Sequence, residues 1–94
     1  MRVNNQTTDP VEYEQNGSGD PMPESLASTG AMTQSGYLAA MSETPPFVPS
    51  GQPPYTVVFT AAGHKPATSC PFSDPAATVS LNDNWTITVS SGCD

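Results

Sequence analysis

Residues 77–90, ATVSLNDNWTITVS, carry the clearest structural pattern in this chain. Apolar residues alternate with Ser and Thr on both sides of the polar run NDN at 82–84, as expected for two half-buried strands joined by a turn. A three-residue loop at 82–84 keeps the apolar residues on one face, whereas a two-residue loop would mix the faces. The pattern predicts an antiparallel hairpin, 77–81/85–90, with these apolar pairs: Leu81 with Trp85, Val79 with Ile87 and Ala77 with Val89.

A further strand signal lies upstream of the hairpin. The stretch YTVVFTA at 55–61 is β-branched and aromatic, and AGHKP at 62–66 interrupts it as a turn. We therefore expect a mostly β fold, with a small antiparallel sheet of three or four strands in a C-terminal domain, residues 55–94. The only two cysteines, Cys70 and Cys93, lie in this domain.

The first 54 residues have a different composition and predict an extended arm rich in Pro, Ser, Thr and Gly. Five prolines fall within residues 44–54, which should form a stiff polyproline-like strap. Helix signals are short: one turn at 23–27, and a possible helix at 33–42 that Thr33 or Ser35 could cap. At most one or two short helical turns are therefore expected.

Composition and charge exclude several classes of protein. Apolar residues at 35% rule out a large buried core. The net charge of −7, with only Arg2 and Lys65 as cations, leaves no basic surface for nucleic acid or an anionic membrane. Six acids lie in the arm and favour a partner with exposed Lys and Arg, although simple solubility explains them equally well: Asp9, Glu12, Glu14, Asp20, Glu24 and Glu43.

The N-terminal segment and the two cysteines indicate where in or outside the cell the protein is expected. The segment MRVNNQTTDP has no apolar h-region, and the sequence has no run of 18 apolar residues, so neither Sec export nor a membrane span is expected. Cys70 and Cys93 leave two alternatives, because disulfides persist mainly in oxidising compartments. Either the protein is made in a host cytoplasm and later released, so that a disulfide forms, or both thiols stay reduced and pack.

The sequence contains no recognisable catalytic or metal-binding constellation. Nucleophilic catalysis needs a base, and His64 is the only histidine, placed in a turn beside Gly63 and Lys65. The cysteines and His64 have no CxxC or HxxxH spacing, and the run at 82–84 lacks the remaining ligands of a calcium loop. We expect no enzymatic activity, no cofactor and no metal.

A small apolar inventory and open sheet edges predict that the β domain associates with itself, as a dimer or trimer, or with a partner sheet. The candidate partner-binding residues are Tyr37, Leu38, Met41, Phe47 and Val48. Packing on the chain's own β domain is the alternative explanation for all of them.

Two functional hypotheses follow. The first is a non-enzymatic structural protein of a viral (phage) particle, a capsid cement or decoration protein that binds the capsid through its arm and self-associates through its β unit. The expected location is then the virion, after synthesis in the host cytoplasm. The alternative is an extracellular interaction or carbohydrate-binding module with a Cys70–Cys93 disulfide. Trp85 could stack on a sugar, but its place on the apolar face of the hairpin favours core packing.

Overall fold

The computed structural model describes residues 1–18 and 33–94 of the chain. These residues form seven β-strands and contain no helix. The strands are β1 (Arg2–Asn5), β2 (Val11–Ser18), β3 (Thr33–Leu38), β4 (Gln52–Thr60), β5 (Ala67–Thr68), β6 (Thr78–Leu81) and β7 (Ile87–Val89). The expected mostly β fold class is confirmed.

The seven strands form two sheets. The first has the order β1-β6-β7, with β1 parallel to β6 and β6 antiparallel to β7. The second is antiparallel throughout and has the order β3-β2-β4-β5. The sheets are therefore interleaved in sequence, because β1 belongs to the first sheet, β2 to β5 to the second, and β6 and β7 to the first again.

Both sheets contribute to one hydrophobic core. In β4 the burial alternates, with Tyr55, Val57 and Phe59 buried and the residues between them partly exposed, which is the period of two that a half-buried strand requires. The largest fully buried apolar side chains come from five separate parts of the chain: Val3, Val11, Val57, Phe59, Phe72, Val79 and Leu81. Burial of these groups is the main driving force for bringing the sheets together.

The structure differs from the expected separation of an arm, residues 1–54, from a β domain, residues 55–94. The division at 54/55 falls inside β4, and β1 and β2 pair with β6 and β4 from the other side of it. These early strands are built into the sheets because their inward positions are buried, including Val3 and Val11.

The predicted helix at 33–42 is wrong, since Thr33–Leu38 is a strand paired with β2. Cross-strand packing overrides the weak helix propensity of this segment. Gly36 lies opposite Tyr13, and a Cβ atom there would come within 2.8 Å of the Tyr13 ring. A strand also sends Tyr37 and Leu38 to opposite faces, so Leu38 can enter the core. The helical turn predicted at 23–27 lies outside the described residues.

The predicted C-terminal hairpin is present, but its register was wrong by two residues. Val79 pairs with Val89 and Leu81 with Ile87. A shift of two keeps the same residues on the same face, so the predicted sidedness holds. The backbone N–H of Asn82 donates to the carbonyl of Thr86 at 2.8 Å and closes the turn one residue later than expected.

In the shifted register Trp85 falls in the turn, where it makes tertiary contacts. Trp85 adopts a left-handed conformation, φ 66°, that bulky residues rarely adopt. Its ring stacks on His64 with centroids 4.0 Å apart, and its indole N–H donates to the carbonyl of Lys65 at 3.0 Å. Trp85 thus lies in the turn before β7, where it packs against the core and connects the hairpin tip to the turn after β4.

The proline-rich strap runs along the free edge of β1. The amide of Asn5 donates to the carbonyl of Ser42 at 2.8 Å, and the amide of Thr44 donates to the carbonyl of Val3 at 2.9 Å. The Met1 ammonium group donates to the carbonyl of Phe47 at 2.7 Å, and burial lowers its pKa from the usual value. This edge of the first sheet is therefore covered by the chain itself.

One buried carboxamide fixes the strap on the second sheet. Gln15 is fully buried in β2; its Oε1 accepts from the Ser50 amide at 2.7 Å, and its Nε2 donates to the Ser50 carbonyl at 3.1 Å. The next residue, Gly51, has φ 77°, and a Cβ there would lie 2.7 Å from the Cα of Gly17. Only glycine fits this close backbone crossing.

We predict that Gln15→Leu destabilises the fold by about 1–3 kcal/mol, because it removes the partner of the N–H and C=O of Ser50, which are only partly exposed to solvent. The measurement is the free energy of unfolding from urea titration. The control is Gln6→Leu, the same substitution at an exposed position, which should change stability by less than about 0.5 kcal/mol. Equal effects of the two substitutions would contradict the anchoring role.

Candidate binding surface

The five predicted partner-binding residues divide into two groups. Tyr37 is 66% exposed, Met41 69% and Val48 84%. In contrast, Leu38 is buried in the core, and Phe47 packs against the core with its ring 6.4 Å from that of Tyr13. Leu38 and Phe47 therefore serve the fold, and the exposed members remain candidates for contact with a partner.

Tyr37 belongs to a larger surface, the outer face of the four-stranded sheet. Cross-strand pairing places Glu12 between Tyr37 and Thr60, and Glu14 between Ser35 and Val58. These six side chains are neighbours because directly opposed residues share a face of the sheet. They line a shallow depression of about 490 Å³. We call the set Glu12, Glu14, Ser35, Tyr37, Val58 and Thr60 the outer face.

The charge of the outer face is not balanced within the chain. Arg2 and Lys65 are the only Lys or Arg residues. Arg2 pairs with Glu43 at 3.2 Å. Lys65 lies in the exposed turn after β4 that contacts Trp85. Among the described residues neither cation forms an ion pair with Glu12 or Glu14, and both carboxylates lie on exposed residues.

Sequence reasoning identified Tyr37 but missed the other residues of the outer face. The signal was present in VEYEQ at 11–15, where Val11 and Gln15 are buried and Glu12 and Glu14 are exposed. This is strand alternation with a period of two. The alternation is hard to recognise in the sequence because its third inward position is Gln15, and glutamine is mostly found at the surface.

A second cluster lies where the turn after β4 meets the hairpin tip. His64 stacks on Trp85, and its Nε2 lies 3.5 Å from Oδ2 of Asp9. Both contacts of His64 hold loops together, and neither partner is a serine, threonine or cysteine nucleophile. The absence of enzymatic activity stays a prediction.

Over residues 1–18 and 33–94, no group of three or more His, Cys, Asp or Glu side chains is placed to hold a metal ion. Within the same ranges, there is no helix with the length and apolar character needed to cross a bilayer.

Cys70 and Cys93 form a disulfide with Cα atoms 5.8 Å apart. Cys70 follows β5 of the second sheet, and Cys93 follows β7 of the first. Between them Phe72 is fully buried and exchanges two backbone hydrogen bonds with Tyr55, at 2.6 and 3.1 Å. The disulfide thus joins segments that belong to the two sheets.

Comparison with known proteins gives no relative: no protein family, curated protein or solved structure was found to match this chain.

We predict that the double substitution Cys70→Ser/Cys93→Ser lowers stability by about 3 kcal/mol, since the disulfide closes a chain separation of 23 residues. In a domain of this size the melting temperature should fall by roughly 12–24 °C. Thermal unfolding followed by circular dichroism measures the change. A reducing agent should reproduce the loss in the wild-type protein and leave the double variant unchanged, and an insensitive wild-type protein would contradict the prediction.

Proposed function

We propose that this chain is a non-enzymatic structural protein of a viral (phage) particle, a cement or decoration protein that binds the capsid surface. The arm, residues 1–54, supplies Glu12, Glu14 and Tyr37 to the binding surface, and the C-terminal strands supply self-association. The observation that carries the proposal is the outer face, where Glu12, Glu14 and Tyr37 lie together on one accessible surface. A broad, shallow, acidic surface suits attachment to a protein assembly better than enclosure of a small substrate.

The proposed self-association uses the free edge of β7. In the hairpin, the carbonyl of Thr86 accepts from the N–H of Asn82, and the N–H of Ser90 donates to the carbonyl of Thr78. The alternation therefore directs the N–H and C=O of Ile87 and the N–H of Val89 away from β6. No described residue pairs with these three groups. The carbonyl of Val89 accepts from Gly92 at 2.9 Å.

A second copy is the proposed occupant of this edge. Residues 84–93 contain no charged side chain, although the chain has a net charge of −7. Two copies can therefore approach at β7 without placing acidic groups directly opposite each other. An antiparallel pairing centred on Thr88 would match Ile87 of each copy with Val89 of the other. Because β7 has only three residues, the pairing is expected to be weak in solution.

We predict that Thr88→Lys disrupts self-association, because a lysine on each copy places like charges together at the edge. Sedimentation velocity over a concentration series should show dimer formation by the wild-type protein and a dissociation constant raised at least about tenfold in the variant. The control is Thr8→Lys, which makes the same change at an exposed position outside β7. A wild-type protein that stays monomeric at all concentrations would contradict the proposal.

Particle association is the direct test of function. Virus particles purified by density gradient from the source culture should contain peptides of this chain by mass spectrometry, in a fixed ratio to the capsid protein. Capsid genes next to its gene would agree with this result. Recovery of the chain only as free protein, absent from the particles, would contradict the proposal.

The alternative is an extracellular interaction or carbohydrate-binding module. The Cys70–Cys93 disulfide and the partly exposed Trp85 at the hairpin tip favour it. A glycan array separates the two: selective carbohydrate binding that Trp85→Ala abolishes would support the alternative, whereas no binding would favour the particle protein.

A further inference from the structure

We infer that the outer face binds an arginine side chain presented by the partner protein. This inference deepens the proposed function and rests on it. It specifies the partner as a segment of protein that carries exposed arginine, docked across β3, β2 and β4.

The arrangement of the carboxylates is the first argument. Glu12 and Glu14 are two residues apart on β2, so their Cα atoms lie about 7 Å apart and their side chains share a face. Strand β2 is paired on both sides, by β3 and β4. The backbone that carries the two carboxylates is therefore held in place by hydrogen bonds on both sides. A ligand would not have to order this backbone on binding.

The side chains around the carboxylates favour a cation with apolar parts. Tyr37 is the direct cross-strand neighbour of Glu12 and is 66% exposed, so a face of its ring is available. Val58, the neighbour of Glu14 on the other side, is partly exposed. An aromatic ring and an aliphatic group beside two carboxylates match the stem and the charged end of a long basic side chain.

The residue choice on the outer face opposes stability of the sheet. Glutamate is depleted in strands, and two carboxylates on one face of one strand repel each other. The nearest cross-strand neighbours are Tyr37, Ser35, Thr60 and Val58, none of which is basic. A basic group from another molecule would remove this repulsion, and charge complementarity thus defines the ligand.

Arginine fits this surface better than lysine for geometric reasons. Its planar guanidinium can bond a carboxylate through two parallel N–H groups and can stack on an aromatic ring at the same time. Lysine offers a compact, strongly hydrated charge that cannot do both. Hydroxyl groups of Ser35 and Thr60 lie in the same two cross-strand rows and can accept the remaining N–H groups.

The experiment uses the full chain and a capped, fluorescein-labelled peptide, Gly-Arg-Gly-Arg-Gly. Fluorescence anisotropy should show saturable binding at about 50 mM salt that weakens at about 500 mM, because exposed charge pairs are screened. The corresponding lysine peptide should bind several-fold more weakly. Backbone amide shifts in NMR should change most at Glu12, Glu14 and Tyr37.

Variants assign the binding to the outer face. Glu12→Gln/Glu14→Gln should weaken binding of the arginine peptide about tenfold, and Tyr37→Ser about threefold, whereas Tyr37→Phe should retain binding within about twofold. The matched control is Asp74→Asn/Asp83→Asn, which removes the same charge at two exposed positions elsewhere. Equal weakening by the control variant, or no saturable binding by the wild-type protein, would overturn the inference.

Particle association separates failure of this inference from failure of the proposed function. If the chain is a fixed component of particles but the Glu12→Gln/Glu14→Gln variant associates as well as the wild-type protein does, the inference fails and the function stands. If the arginine peptide binds the outer face but the chain is absent from particles, the particle function fails while the arginine preference of the surface remains.

Discussion

The pair of hydrogen bonds between the Gln15 carboxamide and the backbone of Ser50 is the constraint on which the rest of the structure depends. The first 54 residues are poor in large apolar groups, so hydrophobic burial alone does not determine how they pack. A fully buried carboxamide that matches one N–H and one C=O selects a single position for the strap relative to β2. With the strap fixed, its earlier part can pair with β1 and complete the first sheet.

Asn5 has a comparable role at the other end of the molecule. It is fully buried, and its Nδ2 donates to the carbonyls of Asp9 at 2.8 Å and Ala39 at 3.1 Å. Its Oδ1 accepts from the Thr7 amide at 3.0 Å. Together with Gln15 it shows how a chain with few apolar residues can specify its fold, since buried side-chain amides satisfy loop backbone that would otherwise be left unpaired.

This construction also explains where binding groups can lie. Inward side chains of β2 and β4 pack in the core or bond to the strap. Side chains on the outer face of the same strands make neither kind of contact. Glu12, Glu14 and Tyr37 occupy outward positions, where their chemistry costs the fold little and is available to a partner. The edge of β7 is separate from that face, because it belongs to the other sheet. The proposed attachment and the proposed self-association would therefore use different parts of the protein.

The sequence by itself determined the mostly β class, the C-terminal hairpin and the strand beginning near Tyr55, because period-two alternation and turn residues are local signals. It also indicated Tyr37 as a candidate partner-binding residue, and the structure leaves this side chain exposed. Only the tertiary structure decided that β1, β2 and β3 are strands, since their pairing partners lie far along the chain and their inward positions include polar Gln15. The hairpin register was likewise visible only in the tertiary structure, where Trp85 in the turn stacks on His64, a contact between loops that strand periodicity does not encode.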